Sequence, residues 1–168
     1  MLKTEDIVAA ANALLNLRKD YSNPPKRERE LDPLFYAFMK GHLGKLKVSR
    51  QHLVYFTGKS RPSRIDYRIG GTNPILLELA VRSPTGVQEL MGPQNSKELK
   101  KLSKIPTSQA KRRVLLLLDL NAKSISKATL KASYGPLHVG PGKKPRLPVT
   151  IVYVHESMHY SFTWSPFK

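Results

Sequence analysis

Residues 114–120 form an almost entirely apolar run, Val-Leu-Leu-Leu-Leu-Asp-Leu, which directly follows three basic residues. A strand of this composition has no polar face to offer to solvent. It is therefore typical of the centre of a sheet that is covered on both sides. The run predicts a layered protein in which helices cover both faces of a sheet.

The rest of the chain alternates between helical and strand periodicity. Helices are predicted over residues 5–19, 28–41, 95–104 and 124–133, and strands over residues 51–57, 63–69, 74–82, 114–120, 149–154 and 160–164. This order predicts an α/β fold with a central mixed β-sheet flanked by helices. We expect a single domain over residues 1–168, with an N-terminal helix at 1–20, a core at 28–120 and C-terminal strands at 149–164.

The ends of the helices are predicted from capping residues. Thr4 is expected to cap the first helix, and Ser124 or Ser126 the fourth. Pro33 lies inside the second predicted helix, and a proline is tolerated best in the first turn. The second helix is therefore expected to start near Leu31.

The chain is strongly basic, with 29 Lys and Arg against 12 Asp and Glu and a net charge of +17. Such a field attracts polyanions, and neutralising phosphates releases counterions, so nucleic acid is the expected partner. Solubility alone and binding to a membrane surface are the alternative explanations. The chain has no cysteine, which excludes disulfides and cysteine-based zinc sites. With no apolar run of membrane length, we expect a cytoplasmic protein that is not embedded in a membrane.

Asp66 and Glu78 lie at equal distances in sequence from Thr72, in the turn between two predicted strands. If the hairpin is centred on Thr72, the two acids face each other with their Cβ atoms about 5 Å apart. Glu78 is also the one acid in an otherwise apolar strand, and a buried charge is costly unless it is paired. A divalent cation would compensate for the two carboxylates. Salt bridges to Arg64, Arg68 or Arg82 are the alternative.

At these residues the sequence resembles the PD-(D/E)XK nuclease superfamily. The matching residues are Pro62-Ser-Arg-Ile-Asp66, followed after eleven further residues by Glu78-Leu-Ala80. The resemblance covers roughly residues 28–120 and implies a restriction-endonuclease-like αβββαβ core. It further implies that Asp66 and Glu78 bind Mg²⁺ or Mn²⁺, with Glu30 or Glu28 of the preceding helix as an additional ligand. The implied activity is phosphodiester cleavage, with DNA as the expected substrate.

Ala80 departs from the family pattern, which has a lysine two residues after the second acid. Some family members carry this lysine on the following helix, where Lys97, Lys100 and Lys101 are available, and Gln94 resembles a glutamine used near the metal. Arg82 lies one pleat beyond Ala80, but a guanidinium cannot act as a base and would only stabilise charge. If no residue replaces the lysine, the chain is a catalytically inactive nucleic-acid-binding subunit of a larger complex. A homodimer is a further possibility.

The basic side chains near the two acids, together with a glycine-rich loop, are expected to contact phosphates. They are Arg64, Arg68, Arg82, Lys143, Lys144 and Arg146. Simple solvated charge is the alternative for the loop at residues 140–146.

Residues 155–159, His-Glu-Ser-Met-His, match the zinc-protease pattern H-E-x-x-H. That chemistry needs both histidines on one face of a helix. Here the flanking residues alternate as in strands, so Glu156 and Ser157 are predicted to form a hairpin turn with exposed histidines. A zinc metalloprotease that uses His155, Glu156 and His159 remains the weakest alternative.

Overall fold

A computed structural model describes residues 3–56, 61–137 and 147–165 of the chain. The elements are α1 (Thr4–Arg18), α2 (Glu28–Leu43), β1 (Val48–Val54), β2 (Ser63–Ile69), β3 (Ile75–Arg82), α3 (Ser96–Ser103), β4 (Arg112–Asp119), α4 (Lys127–Tyr134), β5 (Val149–His155) and β6 (Met158–Trp164). No helix within these described ranges is long and apolar enough to cross a membrane.

The six strands form one mixed sheet in the order β1-β2-β3-β4-β5-β6. Strands β3, β4 and β5 run parallel to one another, whereas the β1–β2, β2–β3 and β5–β6 pairs are antiparallel. The predicted α/β class is confirmed. The elements from α2 to β4 follow the predicted order αβββαβ, while membership of the restriction-endonuclease-like core stays a prediction.

Two apolar layers hold the helices onto opposite faces of the sheet. Helices α1 and α2 pack Leu14 and Phe35 against one face, and α3 and α4 pack Leu99 and Leu130 against the other. Successive residues of β4 point alternately into the two layers and are buried throughout Val114–Leu118. This explains why the strand has no polar face, because each of its faces lies beneath a pair of helices.

Helix α2 starts at Glu28 and not near Leu31, so Pro33 lies in its second turn. The start is fixed by Glu30, whose carboxylate accepts hydrogen bonds from the backbone N–H groups of Lys26 (2.8 Å) and Arg27 (3.2 Å). These bonds satisfy donors that an uncapped helix end would leave free. The start at Glu28 confirms the beginning of the predicted range 28–41, whereas the start near Leu31 that Pro33 suggested was wrong.

Helix α1 is capped by Lys3, with Asp6 accepting a bond from the Lys3 N–H at 2.7 Å, so the predicted Thr4 cap was wrong. The predicted Ser126 cap of α4 is confirmed, because its hydroxyl oxygen accepts a bond from the Thr129 N–H at 3.1 Å. Strand β1 ends at Val54, three residues earlier than predicted.

Candidate metal and nucleic-acid site

The β2–β3 hairpin has the register that the sequence predicted. Tyr67 pairs with Leu77 and Ile69 with Ile75, so the next step of the same register would place Asp66 opposite Glu78. The ladder stops before that step. The Asp66 carboxylate instead accepts a hydrogen bond from the backbone N–H of Leu79 at 2.8 Å. The two strands separate at the two acids, and we call this opening the β2–β3 fork.

The fork opens because the β1–β2 ribbon turns away from the sheet. Strand β2 remains paired with β1 as far as Ser63, although it no longer pairs with β3. Beyond Asp66, Val54 and Ile65 pack into the apolar layer of α3, whereas Tyr67 packs into the layer of α2. Gln51, which lies opposite Asp66 in this ribbon, has a left-handed backbone with φ of 52°.

Glu78 lies at the closed end of the fork and is only 2% exposed. Burial, followed by the negative charge of Asp66, raises the pKa of Glu78 to about 9. The Lys101 ammonium lies 2.5 Å from Glu78 Oε1, but Oε1 accepts no hydrogen bond of favourable angle. The Lys101 ammonium also donates to the carbonyl oxygen of Arg64 at 2.9 Å, which ties α3 to β2.

Lys101 reaches the fork from α3, the helix on which the sequence predicted a relocated lysine. The side chain at position 80 does not point into the fork, since Ala80 is buried in the same apolar layer as Leu99 and Leu102 of α3. A lysine at position 80 would have to enter this layer, where a charge is costly. The ammonium nearest to Glu78 thus comes from α3.

Glu28, and not Glu30, is the acid of α2 whose pKa is raised by the charge of Asp66 in the fork. Partial burial of its carboxyl group, followed by the charges of Asp66 and Asp32, raises the pKa of Glu28 to about 7, although the residue as a whole is exposed. Glu30 is occupied by the capping bonds of α2, and those bonds lower its pKa. The structure therefore does not support the prediction of Glu30 as a metal ligand.

Two acids near the fork were not predicted from the sequence. Asp32 and Glu98 both add negative charge around Glu28. Helical spacing could have indicated Glu98, since it lies three residues before Lys101 and such residues share one side of a helix. Asp32 offered no comparable pattern, because the Tyr67 and Arg50 side chains that bind it lie on distant strands.

Of the other predicted residues around the fork, some are exposed and one is held by hydrogen bonds within the protein. Gln94 and Lys97 are exposed, in the turn before α3 and in its first turn, and Arg64 is exposed beside the fork. Arg68 donates to the carbonyl oxygens of Gly70 (2.9 Å) and Gly71 (2.6 Å), so it supports the hairpin turn.

Arg82 is not available to nucleic acid, which corrects the prediction. It is 6% exposed and forms a two-pronged salt bridge with Asp119, with N–O distances of 2.7 and 2.5 Å. It also does not pair with Glu78. A neighbouring parallel strand supplies its partner, and the guanidinium helps to fix β3 against β4. The other predicted basic residues, Lys143, Lys144 and Arg146, lie outside the described residues.

The structure does not bring the H-E-x-x-H residues together. Glu156 and Ser157 form the two-residue turn of the β5–β6 hairpin, as predicted. His155 pairs with Met158, and His159 pairs with Val154, the residue before His155. The two histidine side chains therefore point to opposite faces of the sheet. His159 is exposed, but His155 is buried, with its nitrogens 2.8 Å from the Ser157 hydroxyl and the Asn121 carbonyl oxygen. The expectation that both histidines are exposed was wrong.

The fork offers two carboxylates to a cation. Across the residues that the structure describes, no group of three or more histidine or acidic side chains is arranged to hold a metal. Asp66 and Glu78 nevertheless fit a hard cation that keeps several water ligands, as Mg²⁺ does. The raised pKa of the Glu78 carboxyl group, whose Oε1 already forms an ion pair with Lys101, is a feature that a bound cation would relieve.

No family model, no curated protein and no solved structure matches this chain. The likeness to PD-(D/E)XK nucleases therefore rests on the residues of the β2–β3 fork, and function has to be argued from their geometry.

Proposed function

We propose that the chain is a metal-dependent phosphodiesterase that cleaves nucleic acid, with DNA as its substrate. One observation carries the proposal. Asp66, Glu78 and Lys101 come from three different elements and converge where the β2–β3 ladder opens. Two carboxylates can hold a metal ion that activates water, and an ammonium beside them can stabilise the negative charge that develops on the phosphate.

Each residue of the fork has a distinct role in this proposal. Asp66 and Glu78 would hold Mg²⁺ or Mn²⁺, which when bound polarises a phosphate oxygen and makes water a better nucleophile. The ammonium of Lys101 is fixed between Glu78 and the Arg64 carbonyl, so it can orient the attacking water or neutralise developing negative charge. Glu28, with its pKa near 7, can exchange a proton at neutral pH.

Basic side chains around the fork would position the substrate. Arg64, Lys97 and Lys100 are exposed, and they lie on the two elements that border the opening, β2 and α3. Exposed lysine and arginine side chains bind phosphates without reading sequence. We call these three residues the fork rim.

The test is nicking of supercoiled DNA in the presence of Mg²⁺ or Mn²⁺. Asp66→Asn, Glu78→Gln and Lys101→Met keep side-chain size and should each reduce the nicking rate at least about 100-fold, a typical cost of losing such a group. Glu156→Gln, a surface change at the distant β5–β6 turn, is the matched control. Unchanged nicking by Asp66→Asn and Glu78→Gln would remove the catalytic proposal.

A second candidate is a nucleic-acid-binding module without catalysis. It is favoured by the ion pair itself, because Lys101 can neutralise Glu78 without any cation. Calorimetric titration of the protein with Mn²⁺ separates the two functions. Millimolar Mn²⁺ should bind the wild type but not Asp66→Asn if the fork is a metal site. DNA binding without any Mn²⁺ binding would favour the module.

A further inference from the structure

A row of side chains on one face of the β1–β2 ribbon leads to the β2–β3 fork. Leu53 of β1 lies directly opposite Arg64 of β2, so their side chains share that face. Alternation places Asp66, two residues after Arg64, and Tyr55, two residues after Leu53, on the same face. We call Leu53, Tyr55, Arg64 and Asp66 the fork strip.

Two apolar side chains of the fork strip are left in solvent. Tyr55 is 67% exposed and Leu53 is 41% exposed. Their neighbours Val54 and Phe56 pack into the apolar layer of α3, so the alternation continues through Tyr55 although β1 ends at Val54. A ligand that covers Tyr55 and Leu53 would gain affinity by removing apolar surface from water.

The backbone that carries the Tyr55 ring is anchored. Val54, the residue before it, is buried, and the side-chain amide of Gln109 donates to the carbonyl oxygen of Tyr55 at 3.3 Å. A tyrosine loses little conformational entropy on binding, because only two side-chain torsions have to be fixed. An exposed ring on an anchored backbone is well prepared to bind a flat ligand.

The charges beside the ring select the ligand. The chain has a net charge of +17, and Arg64, which faces Leu53, belongs to the fork rim, so a polyanion is attracted to the strip. Phosphates bind the arginine but leave Leu53 and Tyr55 uncovered. Nucleobases stack on aromatic side chains, and bases of a single strand can be splayed out to do so, unlike bases stacked inside a duplex. A single strand therefore suits both the charged and the apolar part of the strip.

We propose that the substrate of the fork is single-stranded DNA, with a phosphate bound by Arg64 and an unpaired base stacked on Tyr55 and covering Leu53. This inference rests on the proposed function, because it takes the fork as the place of cleavage. Tyr55 lies four residues beyond Gln51, the residue opposite Asp66, which is about 13 Å along the strand. The stacked base thus belongs to a nucleotide near the cleaved phosphate, and Tyr55 is a substrate-binding residue.

The test is fluorescence anisotropy with a labelled oligothymidylate in EDTA, which measures binding without cleavage. Tyr55→Ala should weaken binding of the single strand about 5- to 100-fold, the range expected for the loss of one base–aromatic stack. It should change the affinity for a duplex of the same length by less than about twofold, because no charge is removed. Tyr55→Phe keeps the ring and should bind both ligands like the wild type.

Tyr21→Ala is the matched control. Tyr21 is also exposed, at 43%, but it follows the end of α1, where Lys19 pairs with Glu156 of the β5–β6 turn at 3.1 Å. The control removes the same ring away from the fork, so it should leave the affinity for the single strand unchanged.

Tyr55→Trp reports the stacking directly. The only tryptophan of the chain, Trp164, is buried, so the tryptophan fluorescence of the wild type should change little when the single strand is added. The added tryptophan of the variant should be quenched by the base that stacks on it. Absence of quenching at saturating oligothymidylate would count against the inference.

Equal affinity of Tyr55→Ala and the wild type for the single strand would overturn the inference and leave the strip to another ligand, such as a protein. Equal weakening of single-strand and duplex binding would overturn it as well. Failure of the proposed function appears elsewhere, as unchanged nicking by Asp66→Asn, whereas binding in EDTA does not depend on cleavage.

Discussion

Glu78 shows how a single buried carboxylate can make the protein sensitive to pH. The pKa of Glu78 is about 9 in the folded chain and 4.5 as the ordinary value. A raised pKa contributes stability that is complete below pH 4.5 and is lost as the pH rises through 9. The metal-free protein should therefore become less stable between these values, and a cation at Glu78 should reverse the loss.

The residue-scale prediction is that Glu78→Gln stabilises the metal-free protein at pH 8 by about 1–3 kcal/mol, because the amide has no charge to bury. The same variant should flatten the fall in stability between pH 5 and 9. Urea unfolding at several pH values checks this, with Glu156→Gln as the exposed control. Equal pH dependence in Glu78→Gln and the wild type would show that another group titrates.

Single residues also show what the sequence could predict. The opposition of Asp66 and Glu78 follows from one turn, so local spacing was enough to predict it. Lys101 could be named only as one of several lysines, because the packing of α3 against β3 decides which ammonium reaches the fork. The partner of Arg82 could not be predicted either, since Asp119 lies 37 residues away on a strand joined through a helix.

At the scale of elements, β1 shows how pairing overrides local pattern. The apolar residues Leu53 to Phe56 predicted a strand centred too late in the sequence, whereas the observed strand begins at Val48 opposite Ile69. Strands β2 and β3 were predicted to within one residue, because their alternation and turn are local. The opening between them was not predicted, since it depends on which apolar layer receives Val54 and Ile65.

The element-scale prediction concerns Gln51, whose φ of 52° is unfavourable for a residue with a side chain. Gln51→Gly should be neutral or should stabilise the protein by up to about 1 kcal/mol, because glycine adopts this conformation without strain. Ser49→Gly, in the same strand with ordinary backbone, should destabilise it by about 0.5–1 kcal/mol. Chemical denaturation compares the two, and equal destabilisation by both would mean that Gln51 is not strained.

For the whole molecule, the positions of the basic side chains decide more about nucleic-acid binding than the net charge does. Strands β5 and β6 contain no Lys, Arg, Asp or Glu, whereas the fork rim brings together Arg64 of β2 and Lys97 and Lys100 of α3. A polyanion is attracted by the complete field, but only side chains that contact phosphates release counterions. Salt dependence therefore reports where the nucleic acid lies.

The final prediction tests this with two triple variants of equal charge. Replacing Arg64, Lys97 and Lys100 with glutamine should weaken DNA binding and make the slope of log K against log salt shallower by about 0.9 for each phosphate that is no longer neutralised. Replacing Lys40, Lys45 and Lys47, which lie at the far end of α2 and before β1, removes the same charge without touching the fork. Because both triples lower the net charge equally, a purely nonspecific field predicts the same change for both. Fluorescence anisotropy with a labelled DNA duplex at several salt concentrations distinguishes them, and an equally shallow slope in both would place the nucleic acid away from the fork.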